Sequence, residues 1–196
     1  MLISTEVLFF EMGYNQWYKL YAFYECYSNH IAHKLFRDLQ TQYMINVTTE
    51  LIHAHEADSL LNASDRYMES LYPAESNHLT YLDELLAPTS VFIGAYVEDI
   101  IVGCGAFVAK FDIEEYGEIK RIFVDEAYRG YSIGTVLMNR LETLAIERGI
   151  KKLKLETGIF QDPAIRLYQN LGYEKVPPFG DYNEDPLSIF MEKIII

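Results

Sequence analysis

Arg129, Gly130, Ser132 and Gly134 fall within the stretch EAYRGYSIGTVLMNRLE, directly ahead of a run with helical periodicity. Those residue types in that order suit an anion. The first turn of a helix offers backbone N–H donors that lack intrahelical partners and the positive end of the helix dipole, so it takes phosphate readily. Glycine at 130 and 134 lets a phosphate approach the backbone, and Arg129 adds a positive charge with a planar fork of donors. A plain strand-to-helix turn that merely needs glycine accounts for the same residues without a ligand. Two other phosphate signatures fit worse. A P-loop needs Lys followed by Ser or Thr after its last glycine, and here Thr135 and Val136 follow Gly134. GCGAFV, from Gly103, begins like a dinucleotide fingerprint but lacks the third glycine and the helix it should open.

A turn of this kind has to be held between a strand and a helix, and the surrounding pattern supplies both. YGEIKRIFVD reads as the strand before it. In the helix after it, Ile133, Val136, Leu137, Leu141, Leu144 and Ala145 form one apolar stripe, and Gly149 sits where a left-handed C-cap belongs. Upstream, INVTTELI alternates like a first strand and EADSLLNASDRYMESLY has helical spacing before Pro73. SVFIGAYVEDIIVGCGAFVAKF reads as two strands joined by a tight turn at Glu98-Asp99. Downstream, KKLKLET is a strand, and DPAIRLYQNLG is a short helix with Asp162 as cap, Pro163 at its first position and Gly172 at its end. YEKVPP and LSIFMEKI close the chain as a strand pair around the loop PPFGDYNEDP. The expected order is β-α-β-β-β-α-β-α-β-β, a mixed α/β sheet in one domain.

The first 43 residues read differently. NQWYKLYAFYECYSNHIAHKLF is dense in aromatics, with only a blurred helical pattern. Two readings stand side by side: a helix packed on the domain or against a partner, and an extension upstream of a natural start at Met44.

The totals set outer limits. With 29 acidic against 16 basic residues, the net charge of −13 argues against general binding to nucleic acid or anionic lipid and favours neutral or cationic substrates. Cys26 and Cys104 make neither a disulfide framework nor a zinc set, and Cys104 reads as a buried strand residue. His53 and His55 read as surface residues near the first helix, and no metal-ligand set appears. No stretch is apolar enough to span a bilayer and no secretory signal is evident, so a cytoplasmic location is expected.

IFVDEAYRGYSIGTVLMNRLETLAIERG followed by LKLETGIFQDPAIRLYQNLGYEKV resembles the Gcn5-related N-acetyltransferase (GNAT) superfamily. The family signature is Arg or Gln, two residues, Gly, one residue, then Gly or Ala. It falls on Arg129, Ser132 and Gly134, with Ser132 in place of the central glycine. The resemblance covers about Met44 to the C-terminus, which would make residues 44–196 a GNAT domain. It implies a single, mostly antiparallel sheet flanked by helices, with a central splayed pair of parallel strands. It also implies acetyl-CoA as co-substrate and no metal. The backbone of Ile122, Phe123 and Val124 would pair with the pantetheine arm, and Arg129, Gly130, Tyr131, Ser132, Ile133 and Gly134 would hold the pyrophosphate.

For catalysis, the resemblance puts Tyr168 in the place of a general acid toward the departing thiolate, with packing on its own helix as the plain reading. Glu118 stands where several members carry a general base. Salt-bridging or holding a substrate ammonium explains that glutamate equally well. On a regular strand Glu118 would share a face with Lys120, Ile122 and Val124. In the closing loop, Phe179 and Tyr182 suit an apolar wall for an acceptor, and Asp181, Glu184 and Asp185 suit a cation. An ordinary wet hairpin loop explains them as well. The leading expectation is transfer of an acetyl group directly to a small-molecule or amino-acid-like amine. A non-catalytic acyl-CoA sensor and a protein N-acetyltransferase are the alternatives. The expected partner is a small-molecule amine rather than nucleic acid or membrane, and a homodimer is kept open.

Overall fold

The computed structural model describes residues 46–73, 82–111 and 114–196. The aromatic N-terminal segment and its two readings lie outside the described residues. The elements run β1 (Val47–Leu51), α1 (Asp58–Leu71), α2 (Leu82–Leu85), β2 (Ser90–Val97), β3 (Ile100–Lys110), β4 (Tyr116–Val124), α3 (Ile133–Glu147), β5 (Lys152–Gly158), α4 (Asp162–Asn170), β6 (Glu174–Val176) and β7 (Ser188–Ile194). The expected order holds, with the one-turn α2 as an addition. The seven strands form one sheet in the order β1-β2-β3-β4-β5-β7-β6, and β4-β5 is its parallel pair. The closing strands do pair with each other, but β7 also inserts beside β5 and leaves β6 at the edge.

Two helix ends are fixed by the same device. At the end of α3, Gly149 has φ +81°, its N–H bonds the Ile146 carbonyl, and the Ile150 N–H reaches back to Ala145. At the end of α4, Gly172 has φ +87°, its N–H bonds Gln169, and the Tyr173 N–H reaches Tyr168. Both are Schellman closures, where a left-handed residue that glycine adopts without a Cβ penalty satisfies the last carbonyls. The start of α4 differs from expectation. Asp162 is its first helical residue, Gln161 is the N-cap, and no side-chain cap forms. Asp162 still lies in the first turn, where the dipole favours an acid.

The sheet has a core on each face. Leu137, Met138 and Leu141 of α3 pack with Phe107, Leu153 and Leu155 on one side. Leu60 and Leu61 of α1 pack with Phe92, Cys104 and Phe123 on the other. Met138 joins the predicted α3 stripe, and Val136 is only half-buried. Removing a side chain such as Leu141, 0% exposed, would cost about 2–5 kcal/mol.

Candidate active site

Two irregularities of β4 make the site. The first is where its parallel ladder stops. β4 and β5 pair only at Gly117↔Leu153, Glu118↔Lys154 and Ile119↔Leu155, although β4 continues to Val124 and β5 to Gly158. Beyond Ile119 the strands part into a fork. The second is a β-bulge. Cys104 opposes Phe123 and Ala106 opposes Lys120, so Arg121 and Ile122 stand against Gly105 alone. Arg121 takes up the extra residue at φ +58°. A bulge shifts the alternation by one residue. Ile119 therefore faces the α3 core, and so do Ile122 and Val124, while Phe123 faces the α1 core. The expectation that Glu118 and Lys120 share a face with Ile122 and Val124 fails for this reason.

Neighbours on α1 and β3 hold the bulge. The Arg121 guanidinium pairs with Asp65 of α1, and the Cys104 Sγ–H donates to the Arg121 carbonyl at 3.6 Å. Cys104 is buried as expected, and burial pushes its thiol up to about 12 although the Arg121 charge pulls the other way. It is a structural thiol, too poorly ionised to act as a nucleophile at neutral pH.

The fork opens into a cleft of about 640 Å³ that runs between β4, α4 and the turn before α3. In that turn Gly130 has φ +89° and Ser132 φ +60°. Ser132 is the N-cap but makes no side-chain cap bond. Its departure from glycine thus costs backbone conformation, of order 1–2 kcal/mol for an L-residue in this region. The first intrahelical bond runs from the Val136 N–H to the Ser132 carbonyl at 3.1 Å, so the amides of Ile133, Gly134 and Thr135 precede the helical ladder. All three residues line the cleft.

The two glycines serve different ends. A Cβ on Gly130 would meet nothing within 4 Å, so its conformation requires glycine. A Cβ on Gly134 would stand 3.0 Å from Leu167 Cδ2, so here close packing of α3 on α4 is the reason. Arg129 folds back on the turn. Its Nε donates to the Val124 carbonyl at 3.2 Å, Nη1 lies 3.2 Å from Glu126, and the guanidinium sits over the rings of Tyr67 and Phe123.

Tyr168 lines the cleft from α4 and is 6% exposed. The Schellman closure fixes it, because its carbonyl accepts from Tyr173, whose ring lies 6.0 Å from its own. Burial and then the Glu156 charge raise its phenol well above the ordinary tyrosine range, so it is a protonated donor at neutral pH.

Glu118 lies deeper, on the opposite face. It is 2.7 Å from Lys120 Nζ and 3.9 Å from Lys110 Nζ, and it accepts from the Tyr182 hydroxyl at 2.8 Å. Lys110 in turn pairs with Glu84 at 2.7 Å. Lys120 lines the cleft and Glu118 does not. Burial, then the adjacent Glu118, raises Tyr182. The closing loop thus uses Tyr182 to bind this network, while Phe179 packs edge-on against Tyr116 and Phe190. Asp185 accepts from the Leu187 N–H at 2.8 Å and shapes the loop; Asp181 and Glu184 are exposed. His53 and His55 are exposed, with stacked rings. Among the described residues no group of acids, histidines and cysteines could hold a metal, and no helix is long and apolar enough to cross a membrane.

Sequence reasoning missed Lys120, Glu156 and Ser188. Glu156 lines the cleft from β5 and accepts from the Ser188 hydroxyl at 2.6 Å. The alternation of KKLKLET could have flagged Glu156 as pointing away from the Leu153–Leu155 core. Nothing local could have paired it with a serine in the last strand.

A sequence model of the Acetyltransferase (GNAT) family matches residues 57–173. The chain belongs to that family. As a GNAT-type N-acetyltransferase it is an acyltransferase, which favours an enzyme over a sensing module. It is 47% identical over 135 residues to an IAA acetyltransferase of Azospirillum brasilense, covering 68% of this chain and 87% of the relative. A Klebsiella pneumoniae structure assigned as an acyl-CoA N-acyltransferase is 35% identical, with a TM-score of 0.64 over 76% of this GNAT chain and 98% of its own. PaiA N-acetyltransferase of Thermoplasma acidophilum, solved with coenzyme A, shares the fold at 16% identity, with a TM-score of 0.59 over 76% of this chain and 99% of its own.

Proposed function

We propose that this chain transfers an acetyl group from acetyl-CoA directly to the amine of a small-molecule acceptor. The observation that carries the reading is the fork, whose open β4 edge leads from a helix-start cradle to the buried phenol of Tyr168. The pieces fit an extended acyl-CoA. Ile122, Phe123 and Val124 offer strand backbone to an amide-bearing arm, as an added strand would take it. The turn from Arg129 through Gly130, Tyr131, Ser132, Ile133 and Gly134 offers amides and a dipole to a pyrophosphate. When bound, acetyl-CoA supplies an activated acetyl group as a thioester.

The chain's own residues then do three things. The β4 edge and the cradle fix the thioester at the fork, so that an amine entering from the other face meets it at short range. Tyr168 gives its proton to the departing sulfur. Glu118, reaching the cleft through Lys120, acts as a positioning residue that keeps Lys120 and Tyr182 in place. The acidic total charge is compatible with an acceptor that arrives as a cation.

Calorimetry tests the reading. Wild type should bind acetyl-CoA, and Gly134→Trp, which fills the cradle and pushes on Leu167, should not. Absence of binding to the wild type would sink the proposal. A screen of primary amines, peptide N-termini and, after the Azospirillum relative, IAA would then identify the acceptor.

A further inference from the structure

Resting on that function, we propose that the acceptor carries a carboxylate as well as its amine, and that Lys120 receives the carboxylate. The charges along the wall point to an anion. Three ion pairs stand beside the cleft, Lys120 with Glu118, Arg121 with Asp65 and Arg129 with Glu126, and in each the cation lines the cleft while its acid does not. Among the described residues Glu156 is the one acid on the wall. A group entering the cleft therefore meets mostly positive charge, although the chain as a whole is strongly acidic.

The cofactor's phosphates account for only part of that charge. Arg129 belongs to the cradle, and Arg166 lies on α4 beside Leu167, which packs on the cradle's Gly134. Lys120 stands elsewhere. It opposes Ala106, a residue of the α1 core, and so lies on the face of the sheet opposite α3. It is also the first β4 residue past the last rung, Ile119↔Leu155, on the order of 10 Å of strand short of the turn that would hold the phosphates. That end of the cleft is where thioester and amine would meet.

The hydrogen bonds of Lys120 leave one donor over. A lysine ammonium has three N–H groups. One serves Glu118 Oε1 at 2.7 Å, and one the Tyr182 hydroxyl at 2.5 Å, which itself donates to Glu118 at 2.8 Å. The third has no acceptor among the described residues. The side chain is 14% exposed, so an anion set against it would be little screened.

Ser64 completes the place. It is buried on α1, lines the cleft, and its hydroxyl has no partner among the described residues. The Arg121–Asp65 pair ties β4 to α1 at this point, which brings Lys120, next to Arg121, and Ser64, next to Asp65, to one stretch of the wall. One ammonium N–H and one hydroxyl suit the two oxygens of a carboxylate. Because Glu118 and Tyr182 already hold the lysine, the site is ordered before the acceptor arrives. The acceptor class is then an amino acid or another aminocarboxylate.

The test offers leucine, phenylalanine and β-alanine, each beside its own amide, to wild type, Lys120→Met and Lys120→Arg. Acetyl-CoA binding is measured on all three proteins. The ratio of kcat/KM, acid over amide, should fall about tenfold to a hundredfold from wild type to Lys120→Met, the usual worth of a hydrogen bond to a charged group. Lys120→Arg, which keeps the charge, should hold the ratio within about threefold, and acetyl-CoA affinity should stay within about twofold throughout. A ratio unchanged in Lys120→Met would overturn the proposal. Loss of acetyl-CoA binding in that variant alone would also overturn it, by placing Lys120 on the cofactor. Absence of binding by wild type would instead overturn the function on which it rests.

A second measurement needs no turnover. Wild type labelled with ¹³C at the lysine ε-carbons is titrated with sodium propionate at constant ionic strength in the presence of coenzyme A, with propionamide as the uncharged control. The signal absent from Lys120→Arg should move with propionate and stay with propionamide. A stationary signal, or movement confined to other lysines, overturns the assignment.

Discussion

The wall of the cleft that carries the cradle is made mostly of backbone, whereas across the fork Lys120 and Glu156 line the cleft with side chains backed by residues from distant stretches of chain. Gly130, Ser132 and the first amides of α3 need only a turn of defined φ, and six consecutive residues provide it. Behind Lys120 stand Glu118, Lys110 and Tyr182, and behind Glu156 stands Ser188, held by ion pairs and hydroxyl bonds and drawn from β3, β4, β5, the closing loop and β7. The first construction is set by backbone conformation and by the small residue at Gly134 on which α4 packs, the second by which side chains are present.

That contrast can be broken most sharply at Glu118. Glu118→Ala would strand Lys120, 14% exposed, beside Tyr182, and loss of one partner from a buried pair costs about 3 kcal/mol. For a domain of this size the melting temperature should fall by roughly 6–12 °C. Calorimetric melting checks it, and a shift within one or two degrees would mean that solvent replaces the pair.

Tyr168→Phe should act on rate instead. Turnover should drop about a hundredfold while acetyl-CoA affinity by calorimetry stays put. An unchanged rate would remove Tyr168 as the acid.

The buried phenols add a pH signature. Tyr168, Tyr173 and Tyr182 are all raised in the folded protein, first by burial. Groups of this kind keep their protons when folded and lose them near pH ~10 when unfolded. Their contribution to stability is therefore fully present below about pH 10 and is lost as pH rises beyond it. Thermal melts should hold through neutral pH and fall steeply above about pH 10. A Tyr182→Phe variant should soften that fall.

The smallest effect belongs to the backbone wall. Ser132→Gly removes a Cβ from φ +60° but adds chain entropy to the unfolded state, for a net gain of up to about 1 kcal/mol. A melting temperature raised by a few degrees, with affinity for acetyl-CoA unchanged or tighter, is the expected outcome.

The same contrast explains what could be read from the sequence. The strand and helix order, the splayed pair, the turn and Tyr168 all rest on local patterns or on motifs within short windows. The bulge at Arg121 did not announce itself, because IKRIFV alternates acceptably in either register. Its consequence, the separation of Glu118 from Ile122 and Val124, followed from pairing with Gly105, which only the fold reveals. The caps were legible at Gly149 and Gly172, where φ is positive, and misread by one residue at Asp162. Glu156 was hidden in plain alternation, since its place at the cleft depends on where β4 leaves β5.

The three-pair ladder between β4 and β5 has a mechanical consequence. In the sheet it is the short seam between β1–β4 and the strands β5–β7, so the seam should be the first place where the sheet loosens. A molecule that lays its own amides along β4 past Ile119 would lengthen the seam and act as a clasp. Acetyl-CoA should then slow amide hydrogen exchange along residues 120–124 well beyond the cradle. At a hundred times its dissociation constant it would add about 2.7 kcal/mol to the stability of the fold.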